Sequence, residues 1–313
     1  MEWSRRSTVV TGGAGFIGHH LIRRLLDEGA DVGRVDDESV CPLLPRLGHL
    51  VGTDLNELTA RDLRGVDTVF HLAANKSVPR SFEKPDAAEE NLRMAQRLVE
   101  AACGAGVRRL VIASSCEVYG IANILPTPEE TKFAPRSPYA EGKVAVEELM
   151  QDVQALEDAP IVAVARLFNV YGPGERPDAL VPRLCASAIS RGELPIEGDG
   201  EQRRDLSYVS DVVEKLARLG AASTTSIVNV GSGRSRSVLD IAELIASKVA
   251  ATMVHRTSRP NEIPEFLADT SRERTLLGTV NRVPVEVGVM QTLQWWCDRD
   301  ADYAGRALTR EEE

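Results

Sequence analysis

Tyr139 and Lys143 stand four residues apart in the run Tyr139-Ala-Glu-Gly-Lys143. On a helix that spacing puts a phenol and an ammonium on one face. A cation beside a phenol favours the phenolate and draws its pKa from about 10 toward neutrality. Tyr139 can then take a proton from an alcohol while the carbon carrying that oxygen gives up hydride. A Tyr four residues before a Lys is common by chance, so the pair needs a hydride acceptor elsewhere in the chain. Thr11-Gly-Gly-Ala-Gly-Phe-Ile-Gly18 provides for one. Gly12, Gly15 and Gly18 allow a tight turn, close backbone approach to a pyrophosphate and close packing of the helix that follows. That helix opens at Phe16 and Ile17 with unpaired N–H groups and a favourable dipole. Asp36, 18 residues beyond Gly18, is placed to accept hydrogen bonds from ribose hydroxyls and to repel a 2′-phosphate, which favours NAD over NADP. Asp37 either strengthens that preference or is a solvated turn residue. Asp54 and Leu55 either flank the adenine or belong to an exposed loop. Lys143 can also hold the nicotinamide ribose.

The elements that must carry these residues alternate between strand and helix. Residues 7–10, 31–35, 67–72, 110–114 and 161–167 are β-branched runs of strand length, although Gly33 weakens the second. Residues 16–28, 86–105 and 139–156 carry helical spacing. Such alternation predicts an α/β fold, a Rossmann-type doubly wound parallel sheet with helices on both faces. Beyond Phe168 Gly and Pro thicken, and 227–230 reads as one more sheet strand. This predicts a dinucleotide-binding domain from 1–170 plus 205–235 and a smaller α/β substrate-binding lobe from 171–204 plus 236–313.

Composition narrows the partners. The 313 residues are 43% hydrophobic and 27% charged with a net charge of -10, which speaks against nucleic acid, whose phosphates need clustered Lys and Arg. No apolar run approaches the roughly 20 residues of a membrane span, and Met1 to Arg6 does not read as a signal peptide. Cys41, Cys103, Cys116, Cys185 and Cys297 are scattered, odd in number and without a CxxC pair. That pattern points to a reducing cytoplasm and to neither disulfides nor a zinc site.

Five segments occur in order: the glycine loop, His71-Leu-Ala-Ala74, Ser114-Ser-Cys-Glu-Val-Tyr-Gly120, the Tyr139/Lys143 pair and Arg166-Leu-Phe-Asn-Val-Tyr-Gly-Pro173. Together they resemble the extended short-chain dehydrogenase/reductases that act on nucleotide sugars, over nearly the whole chain. The resemblance implies that Ser115 is the catalytic hydroxyl, bonding the reacting O4 and Tyr139. It implies that Leu72, Ala73, Ala74, Lys76 and Asn91 hold NAD or its loops. It also implies that Asn169, Arg204 and Arg259 bind a diphosphate, where guanidinium forks suit phosphate oxygens. Leu180, Val181 and Ile196 would enclose the base of a UDP-sugar. Members of the family usually pair the 86–105 and 139–156 helices across a two-fold axis, which implies a homodimer.

Cys116-Glu117 follows Ser115 where hexose 4,6-dehydratases of this family place Asp-Glu, acid toward O6 and base toward C5–H. Glu117 thus offers a base, because a C4 ketone makes the C5 proton acidic. Cys116 stands in the acid's place, as a weaker acid or as a small strand-end residue with no proton role. The surrounding motifs, with Tyr171-Gly-Pro-Gly-Glu-Arg-Pro-Asp-Ala-Leu-Val-Pro-Arg183, are similar to those of the subgroup that dehydrates UDP-N-acetylglucosamine (UDP-GlcNAc) across C5–C6 in tunicamycin-type antibiotic pathways. UDP-sugar 4-epimerases, 4,6-dehydratases and UDP-glucuronate decarboxylases share most of the rest and remain alternatives. So does a non-catalytic sensor of NAD or nucleotide sugar, against which the joint presence of Ser115, Tyr139 and Lys143 argues.

Overall fold

The computed structural model describes residues 2–37, 44–75, 78–258 and 262–299. Strand β1 (Ser7–Thr11) turns into helix α1 (Phe16–Asp27), followed by β2 (Asp31–Val35), β3 (His49–Gly52) and β4 (Thr68–His71). Helices α2 (Val78–Glu83) and α3 (Asp86–Ala105) lead to β5 (Arg109–Ser115), α4 (Pro138–Gln154), β6 (Ile161–Leu167) and the short β7 (Val170–Tyr171). Then come α5 (Leu180–Arg191), β8 (Glu193–Glu197), β9 (Arg203–Asp205), β10 (Ser207–Tyr208), α6 (Val209–Ala221) and β11 (Ser226–Val230). The remaining elements are β12 (Ser235–Ser237), α7 (Val238–Ala246), β13 (Thr252–Arg256), α8 (Ser271–Leu277) and α9 (Val285–Cys297).

Seven strands form one parallel sheet in the order β11-β6-β5-β4-β1-β2-β3. Its strands are apolar on both faces because both are covered. Successive side chains alternate between the faces. Val10, Phe70 and Val111 pack with Leu21, Ile22 and Leu25 of α1 and Val212 and Leu216 of α6. Val9, Val69, Leu110 and Ile112 pack with Leu98 and Ala102 of α3 and Val146 and Met150 of α4. The architecture is therefore α/β and Rossmann-type, winding both ways from β1. Gly33 belongs in β2 after all, since a Cβ there would meet Val51 Cγ2 of the neighbouring strand at 2.5 Å.

A further apolar cluster joins Leu184 and Cys185 of α5, Leu194 and Ile196 of β8, Ile241 and Ile245 of α7, and Leu293 and Trp296 of α9. Here β8 pairs with β13, β9 with β12 and β7 with β10 in two-stranded ladders. Among the described residues no helix is long and apolar enough to cross a membrane. None of their His, Cys, Asp and Glu side chains form a group that could hold a metal ion. Cys103, Cys116, Cys185 and Cys297 are free thiols; Cys41 lies outside the described residues.

Candidate active site

Because the strands are parallel, the residues after β1, β2, β4, β5 and β6 emerge at one edge of the sheet. The order reverses between β1 and β4, where open α/β sheets bind their ligands. Gly12 has φ 69° and donates its N–H to Val35 O at 2.9 Å. A Cβ there would sit 2.8 Å from Ala73 N, and one on Gly18 would run into the Gly12 carbonyl. Helix α1 starts at Phe16 on Gly15, which has no side chain to cap it, and Ile17 and Gly18 complete its first turn. Its opening amides are thus left to an anion. Asp36 accepts a hydrogen bond from Ala14 N at 2.8 Å, so its carboxylate braces the glycine loop at the place expected to meet a ribose. Asp37 is exposed beside it.

Leu72 donates its N–H to Thr11 O at 3.1 Å, and Ala73 N lies 3.3 Å from Thr11 Oγ1. His71 Nδ1 bonds the same hydroxyl at 2.8 Å. The run through Ala74 ends at Asn75, whose N–H and carbonyl are both held by buried Asn91, at 2.7 and 3.2 Å. Asn91 thus fixes the loop. Asp54 is exposed and caps a short 3-10 turn by accepting from Asn56 N at 2.8 Å, while the Leu55 side chain is buried in the core against α3. Lys76 lies outside the described residues. A helix end without a side-chain cap, a backbone approach only glycine permits and a carboxylate at the end of β2 together fit a dinucleotide.

Ser115 ends β5 and caps the 3-10 turn Cys116–Tyr119, accepting from Glu117 N at 3.2 Å. Ser137 caps α4 by accepting from Ala140 N at 3.2 Å, with Pro138 in the first turn. This sets Tyr139 in the opening turn, with its phenol near the Ser115 hydroxyl. Lys143, one turn on, is buried; its Nζ donates to Ala113 O at 2.7 Å and lies 5.9 Å from the centre of the Tyr139 ring. The phenol is pushed up from its ordinary value, against the expectation from spacing. Burial is the main cause, reinforced by Glu117 and Cys116; the Ser115 hydroxyl and Arg176 oppose it. Burial brings the Lys143 ammonium itself down to about 8, with Glu147 opposing.

Cys116 is 4% exposed, in an apolar cluster with Phe168, Ile263 and Phe266. Burial and then the Glu117 charge push its thiol well up, so it stays protonated. Burial also raises the Glu117 carboxyl; Arg204 pulls it down and Glu262 pushes it up.

Behind this cluster lies a buried network that the sequence did not single out. Arg166 grips Glu147 through three hydrogen bonds of 2.7 to 3.1 Å and donates to Tyr119 Oη and Glu129 O, both at 2.8 Å. Ser114 Oγ also donates to Glu147. Tyr119 in turn donates to Asn229 Oδ1 at 2.6 Å. The network ties β5 and its catalytic turn to α4, β6 and β11. One signal was available: Glu147 falls on the buried face of α4 with Lys143 and Met150, where a carboxylate needs a partner.

On the substrate side, Asn169 follows β6, and its buried Oδ1 has no hydrogen-bond partner among the described residues. The Arg204 guanidinium is buried and engaged: it pairs with Glu262, donates to Arg203 O at 2.8 Å and Ile263 O at 2.9 Å, and stands 5.4 Å above Phe266. Val181 and Ile196, 1% and 0% exposed, are core residues whose side chains pack inward, with Leu180 at the core's margin. Arg183 is paired with Glu197, and Arg203 donates to Ser235 O at 3.1 Å. Arg259 lies outside the described residues.

The fold and the grouping of a glycine loop, a hydroxyl, a phenol and a lysine at one sheet edge define a short-chain dehydrogenase/reductase of the extended kind. The profile of the NAD-dependent epimerase/dehydratase family matches residues 8–231, and the chain belongs to that family, with NAD as its cofactor. It is 35% identical to the UDP-glucose 4-epimerase of Mycolicibacterium smegmatis over 308 residues, 92% of this chain and 98% of the relative. Among solved structures it resembles TunA, described as an NAD-dependent NDP-hexosamine 5,6-dehydratase involved in tunicamycin biosynthesis. The match has a TM-score of 0.91 and 47% identity, covering 95% of this chain and 99% of that one. It also resembles MoeE5 in complex with UDP-glucuronic acid and NAD, with a TM-score of 0.86 and 34% identity over 93% of this chain and 99% of that one.

Proposed function

We propose that the protein is a UDP-GlcNAc 5,6-dehydratase of tunicamycin-type antibiotic biosynthesis, acting in the cytoplasm as a homodimer. The observation that carries this reading is Glu117, a carboxyl raised by burial in the turn Cys116–Tyr119 that Ser115 caps. A simple 4-epimerase needs no base at C5. The 47% identity to TunA supports the same choice.

The glycine loop, α1 amides, Asp36, Asn91 and Lys143 would hold NAD, which when bound supplies a reversible hydride acceptor at the sugar C4. Tyr139, beside Ser115, takes the O4 proton as C4 becomes a ketone. It acts as the phenolate, which the positive nicotinamide of bound NAD would favour over the protonated form that burial imposes. The ketone acidifies C5–H, and Glu117 removes that proton. The C5 electrons form the C5–C6 double bond as the 6-hydroxyl departs as water, with Cys116 the nearby group that holds a proton. Reduction at C4 then restores the alcohol and leaves an exocyclic 5,6-ene. Reduction at C6 would give a 4-keto-6-deoxy sugar instead. Asn169, Arg204 and Arg259 would hold the diphosphate, and the α5 and β8 segments the base.

The test is solvent deuterium exchange at C5 of UDP-GlcNAc. Glu117→Gln is expected to lose exchange by at least about 100-fold, within the usual worth of a general base, while slow C4 oxidation persists. Exchange at the native rate would clear Glu117 of the role.

A further inference from the structure

His19 and His20 stand side by side on α1, one turn on from Phe16, and the dehydration gives neither a role. His20 Nε2 donates to Pro173 O at 2.8 Å, and His19 Nδ1 donates to Pro45 O at 2.8 Å. A carbonyl only accepts, so each ring carries its proton on the nitrogen that faces the loop. Burial lowers both imidazoles, His19 to about 4, so neither takes a second proton near neutral pH. The rings are locked edge to face, 5.3 Å from one another, with the Phe16 ring 5.6 Å from His20.

The two carbonyls belong to different loops. Pro45 lies between β2 and β3, and Pro173 lies in 172–179, the segment that joins β7 to α5. The loops also meet directly: a Cβ on Gly174 would fall 2.3 Å from Leu44 Cδ1, so the Leu44 side chain fills the space above that glycine. Proline has no N–H, so at 173 the carbonyl is the backbone group left to anchor the chain. Inside the segment, Glu175 N reaches Gly172 O at 3.3 Å and Ala179 N reaches Arg176 O at 3.2 Å. Both turn bonds are long, so contacts from α1 and Leu44 matter to where the segment sits.

We infer that His20 and Leu44 are positioning residues for substrate: they clasp 172–179 onto the NAD-binding helix, so that α5 opens where the base of a nucleotide sugar is to lie. The inference rests on the UDP-sugar reading, and holds whichever bond of the hexose is broken. Neither residue touches a reacting atom.

The experiment is amide hydrogen exchange of the NAD-loaded protein, paired with calorimetric titration of UDP. His20→Leu removes the donor and keeps a helix-forming side chain, whereas His20→Gln returns an N–H. In His20→Leu, exchange across 172–179 should quicken and the Kd for UDP should rise, each by about fivefold, the usual worth of one neutral hydrogen bond. Exchange in α1 and the affinity for NAD should stay native, and His20→Gln should restore both readouts. Leu44→Ala, which leaves α1 intact, should loosen the same segment from its other side. Native exchange across 172–179 in His20→Leu or in Leu44→Ala overturns the inference. So does a loosened segment with native UDP affinity, the pattern of a merely structural role. The UDP-sugar reading is judged separately: wild-type protein that binds no UDP tells against that reading, while the exchange rates still decide the clasp.

Discussion

In the proposed dehydration, a thiol between the Ser115 hydroxyl and the Glu117 carboxylate raises the question of where the proton for the departing 6-hydroxyl comes from. Cys116 is enclosed by Phe168, Ile263 and Phe266, and burial keeps it protonated. As the proposed donor it is always loaded and reluctant to give. Cys116→Ala separates donation from packing. C5 exchange should persist near the native rate, because Glu117 and Tyr139 are untouched, while water loss slows by roughly 10-fold or more. Equal rates of water loss in the two proteins would reduce Cys116 to a packing residue. Sequence alone left this residue open and erred on Tyr139. The i, i+4 spacing places Lys143 under the ring correctly, but spacing carries no information about desolvation, which dominates once the phenol is half-buried.

At the scale of elements, the joint between β1 and β4 is held by His71 and Thr11. Burial lowers His71 to about 3 from 6.5, so the folded protein keeps it neutral. The unfolded chain takes up a proton as pH falls through 6.5, and the folded one does not. Stability is therefore full above that value and declines below it, by about 2 kcal/mol at pH 5 from this group. His19, lowered to about 4 by burial and by His20, adds to the decline. Calorimetry between pH 7 and 5 should show Tm falling more steeply for the native protein than for His71→Gln. Parallel curves would refute the assignment. The strands and helices that place these groups were readable because both periodicities are strong: Val9 and Val10 face opposite layers, and Leu21 and Leu25 share one stripe. The short ladders β7/β10, β8/β13 and β9/β12 were not, since two to five residues leave little pattern and their pairing is non-local.

Over the whole molecule, function follows from a parallel sheet whose strand ends deliver a glycine loop, a carboxylate and a Ser–Tyr–Lys cluster to one edge. The local motifs of that edge could be read in the chain because each lies within a few residues. What could not be read is how distant groups use one another: Arg166 spends its charge on Glu147, Arg204 on Glu262, and Asp36 reaches back to Ala14. These pairings depend on tertiary contacts between residues 19, 58 and 22 positions apart. The two ion pairs also shape the electrostatics of the site, because each neutralises charges that composition counts as free. The central claim, that C4 oxidation is used here to open C5–C6 and is then reversed, is tested most directly by incubating the NAD-loaded protein with UDP-GlcNAc. The product is then examined by mass spectrometry and proton NMR. The account predicts loss of one water, two vinylic protons on C6 and a surviving C4 hydroxyl. An unchanged mass with inverted C4, or loss of water with a C4 ketone and a C6 methyl group, would contradict it.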